Sequence, residues 1–304
     1  MKSIAIITRT KNRPVMLARA LSSVKGQTYT DFVWMIVNDG GEKGYVAAIV
    51  DEAVGLGIDA RVIHHEESHG MEAASNAGIN GTDSRYIAIH DDDDTWDPQF
   101  LEKTISYLES TVPGGTPPGV VTRVVEVSEV IEGECIKIVG KKPYHPNLIF
   151  VTLPDVAELN RNPPPISFVY KREVLDDIGL YDEKLPVLGD WDFLLRYLMK
   201  YDMGVIQEDL AYYHLRPIVT GGVYGNTIVA KRNTHLAWHG YIVDKHLKID
   251  LERGVSGLGA FLYQAQKFGH MRENLYVVRV ASNIVQMLKT HWQNLLYYLR
   301  SRFM

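Results

Sequence analysis

The stretch YIAIHDDDDTW, residues 86–96, joins an apolar run to four consecutive aspartates. A short apolar run of this kind is typical of a strand buried inside a sheet. Four neighbouring carboxylates cannot all stay ionised without a counter-charge, because their repulsion would raise the pKa of one or more of them. A basic side chain, bulk water or a bound divalent cation would supply that charge. The run therefore marks both a strand end and a candidate site.

Strand-like and helix-like segments alternate through the first hundred residues. The strand-like runs are 3–8, 32–39, 60–65 and 86–90, and the helix-like segments between them are 13–27, 43–57 and 70–81. Apolar strands joined by helices predict a parallel sheet that is covered on both faces. Such sheets bind ligands beyond the carboxyl ends of their strands. We therefore expect four segments to collect at one edge: Thr8–Arg13, Asn38–Gly41, His64–Gly70 and Asp91–Asp94.

The middle of the chain has a different pattern. Residues 111–166 contain PGGTPPG and NPPP, with strand-like stretches at 120–127 and 135–140. This pattern predicts antiparallel strands and long loops. Helical patterns follow at 171–183 and 188–202, then a short strand at 205–217 and a mostly helical end from about 227. The predicted fold class is α/β, with a mostly parallel central sheet, flanking helices and a helical C-terminal extension.

The composition is that of an ordinary globular protein, with 46% hydrophobic and 23% charged residues in a 304-residue chain. A net charge of −5 argues against a nucleic-acid partner. The single cysteine, Cys135, excludes an internal disulfide and a cysteine-rich zinc site. The apolar stretch Ile4–Ile7 is too short for a signal peptide, and no window is apolar enough to span a membrane. We expect a cytoplasmic protein.

The aspartate run has three interpretations. In the first it is a solvated acidic turn, with Asp94 or, as we favour, Asp97 as the N-cap and Pro98 as the first residue of a helix over 98–110; this leaves Asp91–Asp93 unexplained. The second is a calcium loop ending at Glu102, but an EF-hand needs a preceding helix and a glycine where Trp96 stands. The third, which we favour, is a site for Mg²⁺ or Mn²⁺ and a phosphate group.

Five motifs together resemble family 2 glycosyltransferases of the GT-A fold, which is a Rossmann-like nucleotide-binding fold. They are IAIITRTKNRP (4–14), VNDGG (37–41), SNAGI (75–79), YIAIHDDDDTWDPQFL (86–101) and GDWDFLLR (189–196). The resemblance implies an inverting, metal-dependent enzyme that moves a sugar from a nucleotide-sugar to an acceptor hydroxyl. It covers residues 1–217, with a nucleotide-sugar-binding half (1–110) and an acceptor-side half (111–217). Residues 218–304 would form a separate helical region.

The resemblance also implies roles for individual residues on the donor side. Asp91 and Asp93 match the D-x-D element, although Asp92 is an equally good alignment for the ribose contact. Asp39 matches the residue that reads the nucleotide base, and His214 and Arg216 lie where the family contacts the metal or the diphosphate. The implied metal ligands are Asp91, Asp93 and His214, and the implied donor-binding residues are Thr8, Arg13, Asp39, Asn76, Asp91 and Asp92.

The GDWDF motif supplies a candidate general base, because an attacking hydroxyl must lose a proton on the face of the sugar opposite the leaving group. Asp190 matches the acidic residue of the family's E-D or x-D motif, which implies the role of base, and an N-cap is its structural alternative. Asp192 ranks second. Trp191 is a candidate for stacking on the acceptor, or a packing residue like Trp96.

We expect a UDP- or dTDP-sugar donor and a saccharide or lipid-linked acceptor, in bacterial surface polysaccharide synthesis. The alternatives are a nucleotidyltransferase, whose glycine-rich loop is missing from TRTKNRP (8–14), and a non-catalytic binding module, which the intact Asp190 argues against.

The basic, aromatic segment 272–304 predicts either an amphipathic helix on the inner face of the membrane or a packing or homodimer interface.

Overall fold

The computed structural model describes residues 2–112, 114–133, 135–158, 162–216, 224–225, 232–268, 271 and 276. The chain divides into two compact units, Met1–Ile242 and Val243–Met304. The first unit contains the sheet and the candidate site.

The first half of the chain alternates strands and helices as the sequence predicts. Its elements are β1 (Ile4–Thr10), α1 (Pro14–Lys25), β2 (Phe32–Asp39), α2 (Gly44–Gly55), β3 (Asp59–His65), α3 (Met71–Asn80) and β4 (Tyr86–Ile89). Strand β1 pairs in parallel with β2 and β4, and β2 pairs in parallel with β3. Because β2 and β4 are buried along their whole length, both faces of the sheet are covered.

The second half adds antiparallel strands and short helices. Its elements are β5 (Thr95–Trp96), α4 (Phe100–Glu109), β6 (Gly119–Glu132), β7 (Cys135–Pro143), α5 (Leu153–Ala157), β8 (Phe168–Lys171), α6 (Val174–Ile178), α7 (Gly189–Leu198) and β9 (Gly204–Leu215). The described strands form one sheet in the order β3-β2-β1-β4-β8-β6-β9-β5, and β7 pairs with β6. Strand β9 runs parallel to β6, whereas β8, β7 and β5 pair antiparallel to their neighbours. The predicted α/β fold is confirmed.

The core holds helices α1 and α4 against one face of the sheet. It joins Ile6 of β1, Leu17 of α1, Trp34 of β2 and Phe100 of α4, all fully buried. Each such side chain contributes about 1.5–3 kcal/mol by leaving water. Helix α1 begins at Pro14, whose fixed φ suits a first helical turn. This packing brings the N-terminal end of α1 to the carboxyl edge of the sheet.

Two local predictions are wrong. Helix α4 begins at Phe100, so Asp97 is not its N-cap; the Asp97 carboxylate instead accepts the backbone N–H of Gln99 at 3.0 Å in a turn before the helix. The helix predicted over 171–183 is limited to α6, because β8 extends through Lys171 and Gly179 ends the helix at a φ of 72°.

The C-terminal region is helical where it is described. Helix α8 (Arg232–Arg253) is followed by helical residues 258–268. The Asp250 carboxylate accepts the N–H groups of Gly257 at 3.0 Å and Ala260 at 2.8 Å, which caps the second helical run. The predicted amphipathic segment 272–304 lies outside the described residues except at 276. No helix within the described ranges is long and apolar enough to cross a membrane.

The turn after β2 depends on Gly40. This residue has a φ of +72°, and a Cβ atom there would lie 2.5 Å from the backbone nitrogen of Ser68. Gly57 has a similar φ of +84°, but a Cβ atom there would meet nothing within 4 Å. A comparison of substitutions at the two glycines therefore separates the free-energy cost of the left-handed backbone from the cost of the close approach to Ser68.

We predict that Gly40→Ala destabilises the protein more than Gly57→Ala. Both variants force alanine into the left-handed region, which costs about 1–2 kcal/mol. Only Gly40→Ala also pushes a methyl group into the backbone of the 65–70 segment, which adds about 1–3 kcal/mol by analogy with overpacked cores. Urea unfolding of both variants measures the difference, and equal losses would contradict the close packing of this segment on the turn.

Candidate active site

The four aspartates of the run have four different environments at the carboxyl edge of the sheet. Asp91 accepts from the Nε of Arg9 at 2.9 Å, and Asp92 from the Nη1 of Arg13 at 2.7 Å. Asp93 forms ion pairs with Arg216 and, at 3.4 Å, with Arg13. Asp94 accepts the backbone N–H of His214 at 2.8 Å. The counter-charge for the run is therefore supplied by arginines from other elements.

The pKa values of the run diverge as a result. Burial raises the pKa of Asp92 to about 6, against the opposing charge of Arg13. Burial also acts to raise the pKa of Asp93, but the charges of Arg13, Arg216 and Arg19 outweigh it and bring the value to about 2. The pKa of Asp94 is raised well above its usual range, first by burial and then by its acidic neighbours. Asp93 is thus ionised at neutral pH, whereas burial acts against the ionisation of Asp94.

The other predicted edge segments lie at the same edge of the sheet, and the segment Thr8–Arg13 contacts the run directly. Thr10, at the end of β1, donates its hydroxyl to Asp92 at 2.8 Å. At the end of β2, the Asn38 side chain lies 3.1 Å from the ring of His64. Arg19 of α1 donates to the backbone carbonyl of Asp93. The predicted convergence of strand ends on one edge is therefore present in the structure.

The donor set fits a divalent cation in part. Among the described residues, no donor contacts the Oδ2 atom of Asp91 or the Oδ1 atom of Asp93, since their arginine partners use the other oxygen of each. Mg²⁺ or Mn²⁺ needs only one or two carboxylates when phosphate oxygens complete its shell. In the part of the chain that the structure describes, no three His, Cys, Asp or Glu side chains form a metal cluster by themselves. A cation here would depend on oxygens from a ligand.

His214 lies beside the run, but both of its ring nitrogens are engaged. Its Nδ1 is 2.8 Å from Glu129, and its Nε2 is 2.9 Å from the hydroxyl of Thr95. Burial lowers the pKa of His214, which favours the neutral ring. A metal contact from this ring would require an exchange of the Thr95 hydrogen bond.

Asp190 occupies the first turn of α7. Leu188, not Asp190, is at the N-cap position, with a φ of 65°, and the Asp190 carboxylate accepts the N–H of Trp191 at 2.8 Å. Burial raises the pKa of Asp190, while the charge of Arg9 acts to lower it. A carboxylate with a raised pKa is a better proton acceptor than an ordinary aspartate.

Glu72 of α3 packs behind Asp190. A Cβ atom on Gly189 would overlap its carboxyl group, and the Nη1 of Arg9 is 3.7 Å from its Oε2. Glu72 is only 3% exposed, and burial raises its pKa to about 8. Its neutral form therefore dominates at pH 7, between Arg9 and the first turn of α7.

The two acceptor-side candidates are buried in the structure. The Trp191 indole donates to the carbonyl of Val156 at 2.8 Å and stacks on His239. Asp192 is fully buried and forms an ion pair with Arg196 at 2.9 Å. Neither side chain presents a surface to an acceptor, because α7 packs this side inward. These contacts correspond to packing roles, as the alternative interpretation of Trp191 allowed.

Three donor-side candidates hold structure around the edge. Thr8 is buried and accepts from the indole of Trp34 at 2.8 Å. Asn76 bonds the backbone of Tyr181 in both directions, at 2.9 and 3.0 Å. The Asp39 carboxylate accepts four hydrogen bonds, from His65, Ser68, His69 and Gly70. If Asp39 recognised a nucleotide base, it would use the same carboxylate that accepts hydrogen bonds from the 65–70 segment.

The Glycosyl transferase family 2 model matches residues 5–179, which is more than half of the chain. The chain belongs to glycosyl transferase family 2. The predicted family and enzyme class are confirmed. The match ends before α7, so the family model does not cover Asp190 or His214.

Among curated relatives, the uncharacterized glycosyltransferase YwdF of Bacillus subtilis is 28% identical over 195 residues, or 64% of this chain and 67% of YwdF. The succinoglycan biosynthesis protein ExoW of Rhizobium meliloti is 33% identical over 105 residues, which are 33% of this chain and 32% of ExoW.

Solved structures share the fold at low sequence identity. S. aureus TarS 1-349 in complex with UDP-GlcNAc has a TM-score of 0.58 at 17% identity, covering 73% of this chain and 60% of that one. The mannosyltransferase PcManGT from Pyrobaculum calidifontis, in complex with GDP-Man and Mn²⁺, has a TM-score of 0.54 at 15% identity, covering 88% and 70%. This family 2 chain thus spans less than two thirds of the TarS chain that it matches.

Sequence reasoning missed four charged residues of this family 2 site. They are Arg9, Arg19, Glu72 and Glu129. Arg9 lies within the quoted first-strand motif, so its position at the strand end was a usable signal. Glu129 falls at the same alternate positions of β6 as the buried Val127, so the strand period was a usable signal that its side chain is buried.

We predict that Glu72→Gln becomes more stable relative to the native protein as pH rises. Because the folded-state pKa of Glu72 is raised to about 8, its stabilising contribution is complete below about pH 4.5 and is lost as pH rises through 8. The stability difference should grow by roughly 1 kcal/mol per pH unit in that window. Urea unfolding from pH 5 to 8.5 measures it, with exposed Glu52→Gln as the control. Parallel pH curves for the native protein and Glu72→Gln would show that Glu72 is ionised in the fold.

Proposed function

We propose that this protein is an inverting glycosyltransferase that moves a sugar from a UDP- or dTDP-sugar to an acceptor hydroxyl. The observation that carries the proposal is that two carboxyl groups near one sheet edge have opposite electrostatic environments. Asp93 is held ionised between Arg13 and Arg216, whereas Asp190 is a half-buried carboxyl with a raised pKa. The charges of Arg9 and Asp91 act on the pKa of Asp190, so the two environments are electrostatically linked.

The donor diphosphate would lie against the arginine-rich end. Arg13 is partly exposed and already spans Asp92 and Asp93, so its guanidinium is placed to share its donors with phosphate oxygens. Asp91 and Asp93 would hold a divalent cation, Mn²⁺ or Mg²⁺, through the two oxygens that no described donor contacts. When bound, the cation would neutralise charge that develops on the departing diphosphate.

Asp190 would accept the proton of the attacking hydroxyl. Its burial disfavours the ionised form, and this raises its affinity for a proton. Neutral Glu72, packed against Gly189, adds no second negative charge beside it at pH 7. General-base catalysis of this kind typically contributes about 10²–10⁴-fold to a rate.

The relatives support the choice of substrates. TarS was solved with UDP-GlcNAc, and PcManGT with GDP-Man and Mn²⁺. ExoW is named for succinoglycan biosynthesis, in keeping with bacterial surface polysaccharide synthesis. We propose a saccharide or lipid-linked saccharide as the acceptor. Association with a membrane surface or a second copy through the C-terminal helices remains a prediction.

We predict that Asp190→Asn retains UDP binding but lowers turnover about 100-fold or more, since the amide cannot accept the proton. Calorimetry with UDP and Mn²⁺ measures binding, and UDP release from UDP-GlcNAc measures turnover. Asp192→Asn is the matched control, because it removes a buried ion pair two residues away and should reduce stability instead. If Asp192→Asn abolishes turnover and Asp190→Asn does not, Asp190 is not the base.

We predict that Asp93→Asn removes the metal dependence of UDP binding. The substitution deletes a proposed ligand and removes one of the two carboxylate partners of Arg13 and of Arg216, which keep Asp92 and Glu129, so that the Nη2 donors facing Asp93 can pair directly with the diphosphate. Calorimetric titration of UDP with Mn²⁺ or with EDTA tests this. Asp97→Asn, in the turn before α4, should behave like the native protein. Metal-dependent binding that survives in Asp93→Asn would remove Asp93 from the ligand set.

A further inference from the structure

Glu129 is a buried carboxylate in the middle of a long strand. It lies in the 14-residue strand β6, and its side chain is 0% exposed. The pairing of β6 with β7 shifts register between Ser128 and Glu129. Such a bulge re-aims a side chain and is frequent beside active sites.

Glu129 contacts three basic side chains from two other elements. Its Oε1 accepts from the Nη1 of Arg216 at 2.6 Å. Its Oε2 accepts from the Nη1 of Arg19 at 2.7 Å and lies 2.8 Å from the Nδ1 of His214. A buried carboxylate with two arginines is paired well enough to stay ionised.

These contacts continue to the aspartate run. Arg216 also donates to Asp93, and Arg19 to the backbone carbonyl of the same residue. Arg19 Nη1 lies 3.2 Å from the Nδ1 of His214 but only 2.7 Å from Glu129 Oε2, so its hydrogen bond goes to the carboxylate. An ionised carboxylate only accepts hydrogen bonds, so the 2.8 Å contact with Glu129 assigns the ring proton to Nδ1 of His214. The other ring nitrogen then accepts from the hydroxyl of Thr95, 2.9 Å away. One side chain therefore sets both the direction of Arg216 and the tautomer of His214.

We propose that Glu129 is a positioning residue for the donor-diphosphate end of the site, acting through Arg216 and His214 rather than on the substrate itself. The proposal rests on the proposed function, since the effect on substrate requires a donor at this edge. Residues that orient the groups contacting a substrate or metal typically affect affinity or activity by about 10–100-fold.

The test compares Glu129→Gln with Glu126→Gln. The glutamine amide has a single acceptor oxygen and an NH₂ group, which would face the donors of Arg19 or His214. Glu126 lies on the same strand and pairs with Lys142 at 2.9 Å, outside this network, so it is a matched control. Glu129→Gln should raise the donor KM at least about 10-fold and change kcat less, because Asp190 is untouched. Glu126→Gln should stay within twofold of the native values.

Nitrogen-15 spectra of the histidine rings give a readout that needs no substrate. The His214 signals, assigned with a His214→Gln sample, should show a protonated Nδ1 in the native protein and an altered pattern in Glu129→Gln. Unchanged His214 signals, or a donor KM within twofold of the native value, would overturn the proposal.

If the native protein binds no nucleoside diphosphate, the proposed function fails, and the ring spectra still decide whether Glu129 orients His214. If Glu129→Gln does not fold, Glu129→Asp carries the same measurements, with native-like KM and spectra as the overturning result.

Discussion

The pairing of arginines with the buried carboxylates at one sheet edge is the constraint on which the site depends. Asp92, Asp93, Asp94 and Glu129 are nearly or fully buried, and charges in such places are tolerated only when they are paired or neutralised. The structure uses both solutions, because arginines hold Asp93 and Glu129 ionised while burial raises the pKa of Asp94. The arginines come from the end of β1, from α1 and from the chain after β9, so the ion pairs require the complete sheet.

The sequence was informative wherever a pattern was local. Continuous apolar runs predicted β1, β2 and β4, and parallel topology then predicted that Thr10, Asn38 and the aspartate run meet at one edge. The identity of the counter-charge was beyond local reasoning, because Arg216 and Asp93 lie 123 residues apart in sequence. The ion-pair partners of Glu129 and Glu72 were missed for the same reason. The burial of Trp191 was also undecided, since a tryptophan beside a catalytic motif suits both packing and sugar stacking.

The two ends of the site are prepared for opposite charge changes. At the proposed donor end, arginines and an ionised Asp93 would suit a diphosphate that gains negative charge as it leaves and a cation that neutralises that charge. At the Asp190 end, burial favours a neutral carboxyl and hence proton uptake. Arg9 lies between them, bonded to Asp91 and 3.7 Å from Glu72. The proposed inverting mechanism needs this separation, because it places the leaving group and the attacking hydroxyl on opposite faces of the sugar.

We propose that the donor diphosphate binds at the aspartate–arginine edge of the sheet. A crystal structure of the protein with UDP-GlcNAc and Mn²⁺, with anomalous data collected for manganese, tests it most directly. We expect an anomalous peak at Asp91 or Asp93, and diphosphate oxygens within hydrogen-bond distance of Arg13 or Arg216. A nucleotide bound elsewhere, with the arginines still paired to the same aspartates and no manganese at the run, would contradict it.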